Sequence, residues 1–248
     1  SRYALDLFLY EKARSVGVNI QTKTSINEVS YEGGYFQVTT NKESFRSQVV
    51  IGAYGKSGIL DKKLNRSFIH QKAPFIGVKY HIKTDFPKDK IALHNFRSGY
   101  CGISAIEDEK YNLCYLGSRD TLRKYGSIAA MEEAVVKKNP HLNHIFNNSE
   151  FLFEKPEVIN SFSFAPKKAV ERHVLMSGDA AGLITPLCGN GMAMASHSGK
   201  ILSDCIAEHW VNGNLDRKTL ELDYTKRWND AFNRRLRIGR LTQRLFGS

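Results

Sequence analysis

The sequence predicts an α/β chain, α+β overall, in which a parallel-sheet domain is interrupted by an antiparallel sheet and followed by C-terminal helices. Three observations carry this. Apolar residues recur at helical spacing at both ends of the 248-residue chain. Short alternating strands follow one another closely through the middle. Two continuously apolar runs that break at glycine, "QVVIGAYG" and "RHVLMSGDAAG", flank that middle block and have the character of buried parallel strands.

In chain order, "SRYALDLFLYEKARSVGVNI" places Leu5, Phe8, Leu9 and Ala13 on one helical face. Gly17 closes that helix and "VNI" is expected to begin a strand. "TSINEVSYEGGYFQVTTN" is a hairpin about Gly33-Gly34. After Gly58, "PFIGVKYHIK", "DKIALHNF", "GYCGISAIE" and "KYNLCYLGS" are strands separated by polar turns, as in an antiparallel sheet. "GSIAAMEEAVVKKNP" is a helix carrying Ile128, Met131, Ala134 and Val135, ended near Pro140, and "EVINSFSFAP" is a last sheet strand. The segments from Met192 to Trp210 and from Leu220 to Phe246 are mostly helical. Residues 1–60 and 166–212 are therefore assigned to one domain, 61–165 to an inserted antiparallel-sheet domain, and 213–248 to a basic helical region. No internal repeat or low-complexity linker interrupts this order.

The net charge of +11 favours an anionic partner: a phosphate-bearing cofactor, an acidic substrate, a membrane surface or nucleic acid. A nucleic-acid role lacks aromatic interleaving and any recognised module. No apolar run reaches the ~18–20 residues of a membrane span, and no secretory signal opens the sequence. Cys101, Cys114, Cys188 and Cys205 are scattered, and His81, His94, His173 and His197 share no ligand spacing, so no metal site is expected. Reduced thiols and a cytoplasmic location follow. Cys101 and Cys114 lie on two arms of one hairpin, with a cross-strand disulfide disfavoured.

The chemistry concentrates in "VLMSGDAAGLITPLCGNGMAMA". A strand delivers Gly178 and Asp179 to the edge of a parallel sheet, where ligands bind in such folds. Ionised Asp179 is an acceptor suited to a polyhydroxyl group such as a ribose or ribityl chain. Gly182, Gly189 and Gly191 let a ligand approach the backbone, and a helix starting near Gly191 would aim its free N–H groups and partial positive charge at that ligand. The same glycines also serve as a turn and loop punctuation.

"GDAAGLITPLCGNGMAMA" resembles the G-D-A-A-x-x-x-x-P-x-x-G-x-G-x-x-x-A segment of FAD-dependent oxidoreductases, the group of aromatic-ring hydroxylases and geranylgeranyl reductases. That resemblance implies part of a FAD-binding Rossmann-like domain. It assigns the ribityl contact to Asp179, beside Gly178 and Gly182, and the isoalloxazine contact to Pro186, Gly189, Asn190, Gly191 and Met192. "SRYALDLFLYEKARSVGV" resembles the family's R-x-x-x-D-x-x-L-x-x-x-A-x-x-x-G helix, which makes Arg2 a flavin-nucleotide contact. "INEV" resembles the strand whose backbone meets the adenine, near Val29, and "VVIGAYGKSG" resembles V-I-G-A-D-G-x-x-S. "GYCGISAIEDEKYNLCYLG" resembles the substrate-domain hairpin of geranylgeranyl reductases and assigns a substrate pocket to Tyr100, Gly102 and Ser104, with Cys188 from the flavin-lining loop.

The sequence departs from the family in three places. It has no G-x-G-x-x-G, so it looks like a fragment without the N-terminal nucleotide-binding βαβ unit. Tyr54 stands where the family carries Asp, and Gly102, Ser104 and Ala105 stand where reductases carry Trp, Phe and Pro. The resemblance implies an FAD-dependent oxidoreductase with a small, apolar isoprenoid- or polyene-like substrate, reduced by hydride from the flavin. An aromatic hydroxylase is the alternative, and an inactive fragment binding an anionic surface is the non-enzymatic one. The electron donor, NADPH or NADH, has no motif here. "RWNDAFNRRLRIGRLTQRLF", with six arginines, is a basic amphipathic helix that either packs on its own protein or lies on an anionic membrane.

Overall fold

The computed structural model describes residues 2–71, 74–159 and 163–245, the side chains of residues 244 and 245 excepted. Helix α1 (Arg2–Ser15) precedes a meander of β1 (Ile26–Glu32), β2 (Tyr35–Thr40) and β3 (Ser44–Ser47), then the short β4 (Ile51–Gly52) and α2 (Ile59–Lys63). The middle of the chain holds β5 (Phe75–Lys83), β6 (Ile91–Phe96), β7 (Gly99–Ala105) and β8 (Tyr111–Ser118). Helices α3 (Arg119–Tyr125), α4 (Ile128–Ala134) and α5 (Pro140–Asn147) follow, with β9 (Glu150–Phe151) and β10 (Glu157–Ile159). The last part contains β11 (Val170–Glu171), β12 (Val174–Met176), α6 (Gly191–His209), β13 (Trp210–Val211), β14 (Asn214–Leu215) and α7 (Arg217–Leu245). The described residues fall into two compact units, 2–24 with 74–159 and 25–71 with 163–245.

The first unit is built on the antiparallel sheet, in the order β10-β5-β8-β7-β6 with β9 also on β5. The period-2 alternation read from the sequence divides its two faces. Ile76, Val78, Tyr80 and Ile82 of β5 join Cys101, Ile103, Leu113 and Tyr115, and this face packs on Met131, Val136, Leu142 and Ile145 of the helical segment. Residues one position away face the other side. The register pairs Cys101 with Tyr115 and Cys114 with Gly102, so the two cysteines lie on opposite faces and cannot bridge. Helix α1 buries none of its side chains, and Leu5, Phe8 and Leu9 are exposed.

Three local expectations are revised. Residues 18–20 form no strand, because among the described residues no neighbouring strand offers them a ladder. Pro140 starts a helix instead of ending one. It occupies the first position of α5, where a missing N–H is harmless, and the Asn139 side chain accepts the N–H groups of His141 and Leu142. Of "EVINSFSFAP", Glu157–Ile159 pairs with β5, and residues 160–162 lie outside the described set, as does Phe246.

The second unit holds the three-stranded sheet β11-β12-β4 and the meander β1-β2-β3. Strand β4 runs parallel to β12, pairing Ile51 with Leu175 and Gly52 with Met176. A Cβ at Gly52 would stand 2.6 Å from the Met176 sulfur, so glycine is required for this close packing. Helix α7 lays Leu220, Tyr224, Trp228, Phe232 and Leu236, spaced four apart, into the core beneath β12 and α6. A two-residue turn, Asn212 and Gly213, both at positive φ, closes the small β13–β14 hairpin that joins α6 to α7.

Candidate functional site

Because β4 and β12 are parallel, their C-terminal ends emerge on the same edge of the sheet. Tyr54, Gly55 and Lys56 follow one strand, and Ser177, Gly178 and Asp179 follow the other. The Ser177 N–H still donates to the Gly52 carbonyl at 3.0 Å. Gly178 then takes φ +59°, a left-handed conformation, and a Cβ there would stand 3.2 Å from that of Ala195. The tight turn and the close approach of α6 both demand glycine at this position.

The turn is held from beneath by side chains distant in sequence. Ser198 of α6, fully buried, accepts the Gly178 N–H at 3.0 Å and lies 2.8 Å from the Ser177 hydroxyl. Lys167 Nζ donates to the Asp179 carbonyl at 2.8 Å and Arg66 Nη1 donates to the Ala180 carbonyl at 2.9 Å. The Tyr224 hydroxyl donates to the Met176 carbonyl, and burial pushes that phenol up to about 12. The Asp179 carboxylate acts on both Lys56 and Lys167, favouring their charged forms against the opposing effect of burial.

Arg66 is itself buried, 2% exposed, against Asp61 at 1%, with Nη1 2.9 Å from Asp61 Oδ1. The Tyr54 hydroxyl donates to the same Asp61 oxygen at 2.7 Å, while Asp61 Oδ2 accepts the Gly58 N–H at 2.7 Å. Tyr54 is thus turned inward, and burial, with the Asp61 bond second, raises its pKa well above the ordinary phenol value. Asp61 is capped on both oxygens and Arg66 reaches two carbonyls, so this buried ion pair has the additional bonds it needs to be tolerated.

Beyond the turn, Gly182 lies under α7. A Cβ there would stand 2.8 Å from Leu236 Cδ1 and 3.3 Å from Trp228 Cζ2, so packing alone accounts for this glycine. Thr185, buried, donates to the Gly239 carbonyl at 3.3 Å and lies 3.4 Å from Cys188 Sγ. Residues Pro186–Cys188 form a 3₁₀ turn, and Gly189 follows at φ +65° with nothing within 4 Å of where a Cβ would be. Pro186, Cys188, Gly189 and Met192 are exposed. Helix α6 starts at Gly191 with Asn190 as N-cap, and no side chain caps it. The first intrahelical bond at this end runs from the Met194 N–H to the Asn190 carbonyl, leaving the N–H groups of the first turn directed out of the helix.

These features fit an isoalloxazine. Asn190 Oδ1 is buried and, among the described residues, has no hydrogen-bond donor. A ring carrying both N–H and carbonyl groups complements this acceptor and the neighbouring helix amides.

The remaining expected residues lie elsewhere. Val29 is half-buried on β1, the edge strand of its meander, opposite Val38. Arg2 is exposed on α1 in the first unit and bonds Asp6 Oδ1 at 2.6 Å. Tyr100, Gly102 and Ser104 share one face of β7, the face away from the packed helices. Cys188 belongs to the second unit. Among the described residues, no group of three or more His, Cys, Asp or Glu is arranged to hold a metal ion. Sequence reasoning missed Asp61, whose partners Gly58, Tyr54 and Arg66 lie within seven positions, and Arg66, Lys167, Ser198 and Tyr224, whose bonds to the turn reach up to 114 positions and leave no local signal.

No family model matches the chain. It is 28% identical over 232 residues to an uncharacterised protein of Methanosarcina barkeri, covering 91% of this chain and 56% of that one. It is 25% identical to the digeranylgeranylglycerophospholipid reductase of Methanosarcina acetivorans, covering 93% of this chain and 58% of the reductase. The chain therefore spans about half the length of these curated relatives. Among solved structures it superposes on CmlS, a flavin-dependent halogenase, with TM-score 0.76 at 19% identity, covering 93% of this chain and 44% of CmlS. The halogenase PltM in complex with phloroglucinol and FAD gives TM-score 0.73 at 14% identity over 90% of this chain and 49% of PltM. PqsL of Pseudomonas aeruginosa, a probable FAD-dependent monooxygenase, gives 0.72 at 16% identity over 98% of this chain and 69% of PqsL. The chain has the fold of the FAD-dependent halogenases and monooxygenases. It resembles the geranylgeranyl reductase and aromatic hydroxylase group along nearly its whole length.

Proposed function

We propose that the protein is an FAD-dependent oxidoreductase that reduces an apolar, isoprenoid- or polyene-like substrate. One observation carries the cofactor assignment. Buried Arg66 and half-buried Lys167 draw the carbonyls of the Gly178 turn to one side, while the exposed loop from Pro186 to Met192 presents the open end of α6 and the Asn190 oxygen, which has no donor among the described residues. Asp179 would hold the ribityl hydroxyls, and Gly189, Asn190 and Gly191 would lie along the ring. Val29 would offer its backbone to the adenine. When bound, FAD supplies the redox chemistry, and the protein supplies orientation and electrostatics.

The reductase assignment is supported by the relative named for that activity and by the sheet face carrying Tyr100, Gly102 and Ser104. A Cβ at Gly102 would meet Leu93 at 3.2 Å, so this face is kept low where a flat apolar chain would lie. The second reading, an aromatic hydroxylase, is favoured by the match to PqsL over 98% of the chain. The donor would be NADPH or NADH.

Peripheral membrane contact is part of the proposal. No helix among the described residues is long and apolar enough to cross a membrane. Near its C-terminal end α7 exposes Arg234, Arg235, Arg237, Ile238 and Leu241 on the side away from the core, a cationic and apolar surface suited to an anionic lipid surface. The test is a protein extended to the length of its relatives, reduced by NADPH or NADH and offered a geranylgeranyl lipid or a phenol. Consumption of the lipid double bonds supports the reductase, oxygen-dependent hydroxylation of the phenol supports the alternative, and turnover of neither rejects both.

A further inference from the structure

We propose that Lys167 is a positioning residue of the flavin-facing turn, tying the carbonyl of Asp179 to that of Lys56 and thereby fixing how Asp179 is presented; this rests on the cofactor assignment above. Lys167 Nζ donates to the Lys56 carbonyl at 2.7 Å and to the Asp179 carbonyl at 2.8 Å. These carbonyls belong to the two segments that leave the parallel neighbours β4 and β12. One ammonium therefore joins the two strand ends at the edge where the ligand would lie.

The local geometry makes this more than a packing contact. In a trans peptide the C=O and the following N–H point in opposite directions. Drawing the Asp179 carbonyl onto Lys167 turns the Ala180 N–H to the other side. Arg66 takes the next carbonyl, that of Ala180, at 2.9 Å. Two successive carbonyls are thus drawn to cations, and the Phe68 ring lies 4.3 Å from Nζ.

The charged groups facing Lys167 are Arg66, Asp61 of α2 and Asp179 of the turn. Burial first, then Arg66, lower the Lys167 pKa to about 8, against the opposing pull of Asp61 and Asp179. A lysine whose folded-state pKa is lowered releases its proton more easily in the fold than in the unfolded chain. Its own contribution to stability therefore rises with pH above about 8. The ammonium's pull on the Asp179 carbonyl, and on an anionic cofactor, falls over the same range. Stability and flavin affinity consequently shift in opposite directions, which a purely structural contact would not produce.

Amide hydrogen exchange on this chain tests the tie without any flavin. Lys167→Gln and Lys167→Met are expected to speed exchange of the amides of residues 178–182 about ten-fold, the equivalent of one hydrogen bond, with the β5–β8 sheet unchanged. Lys167→Arg, which keeps charge and donors, is expected to restore most of the protection. Unchanged exchange, or acceleration spread through both units, overturns the tie. In the extended protein, wild-type FAD affinity should weaken several-fold from pH 7 to pH 9, and Lys167→Gln should be weaker at pH 7 and flat across that range. A flat wild-type profile overturns the charge effect. An extended wild-type protein that binds no FAD at any pH refutes the cofactor assignment instead, and the exchange result still decides the tie.

Discussion

Ser198 Oγ, two turns into α6, accepts the N–H of Gly178 at 3.0 Å. This bond joins the helix whose start would face the flavin ring to the turn that would hold the ribityl chain. Ser198→Ala removes the acceptor and leaves the Gly178 N–H and the Ser177 hydroxyl buried. The expected loss is about 1–3 kcal/mol in urea unfolding, with weaker FAD retention in the extended protein. A variant as stable as wild type would show that the bond does not hold the turn.

Arg66 and Asp61 form a pair that is expensive to halve. Arg66→Met strands a buried carboxylate and should cost about 3–5 kcal/mol. Adding Asp61→Asn, which removes the stranded charge, should recover a large part of that loss. Equilibrium unfolding of both single variants and the double variant completes the cycle, and strict additivity would rule out the coupling.

Glu132, in the antiparallel-sheet unit, accepts the hydroxyls of Tyr80 and Tyr115 at 2.8 and 2.9 Å. Burial raises its pKa above the ordinary carboxyl value, outweighing the two phenol bonds that lower it. A raised folded-state pKa means that the protonated acid is favoured in the fold. Its stabilising contribution is complete below the unfolded value and is lost as pH rises through the folded one. Glu132→Gln should therefore flatten this part of the acid-side stability profile. Glu132→Ala, with two buried phenols unmatched, should lose roughly 2–4 kcal/mol. Thermal unfolding across acid and neutral pH separates these outcomes.

The glycines of the loop should respond differently. Gly182→Ala forces a Cβ against Leu236 and Trp228 and should lower stability by about 1–3 kcal/mol through overpacking. Gly189→Ala meets no neighbour, and its penalty, about 1–2 kcal/mol, comes from the left-handed backbone. Structures of the two variants distinguish displaced α7 side chains from an altered loop.

Most elements were legible because their periods were clean. The alternation in "FIGVKYHIK" and "YNLCYLGS" assigns faces that the β5–β8 register reproduces. The parallel pair β4–β12 was readable from two apolar runs stopping at glycine. Pro140 misled because a proline ending one pattern is equally suited to beginning the next helix, and the Asn139 cap decides it. The outline of the candidate site was visible in "GDAAGLITPLCGNGM", yet its support was not. Arg66, Lys167, Ser198 and Tyr224 act through long-range bonds to backbone carbonyls and amides, and such bonds place no demand on neighbouring residue types. Gly182 shows the opposite limit, since the sequence alone could not distinguish a ligand's approach from the packing of α7.

The Gly178–Gly191 segment is proposed to hold FAD through Asp179 and the start of α6. The most direct measurement is FAD binding, read from the visible flavin spectrum, by the protein extended to the length of its relatives, with Asp179→Ala beside it. The wild type is expected to carry or reconstitute flavin, and Asp179→Ala to retain it about ten-fold less tightly, as befits a lost charged hydrogen bond. A colourless wild type that takes up no FAD, or an Asp179→Ala variant with undiminished affinity, would contradict it.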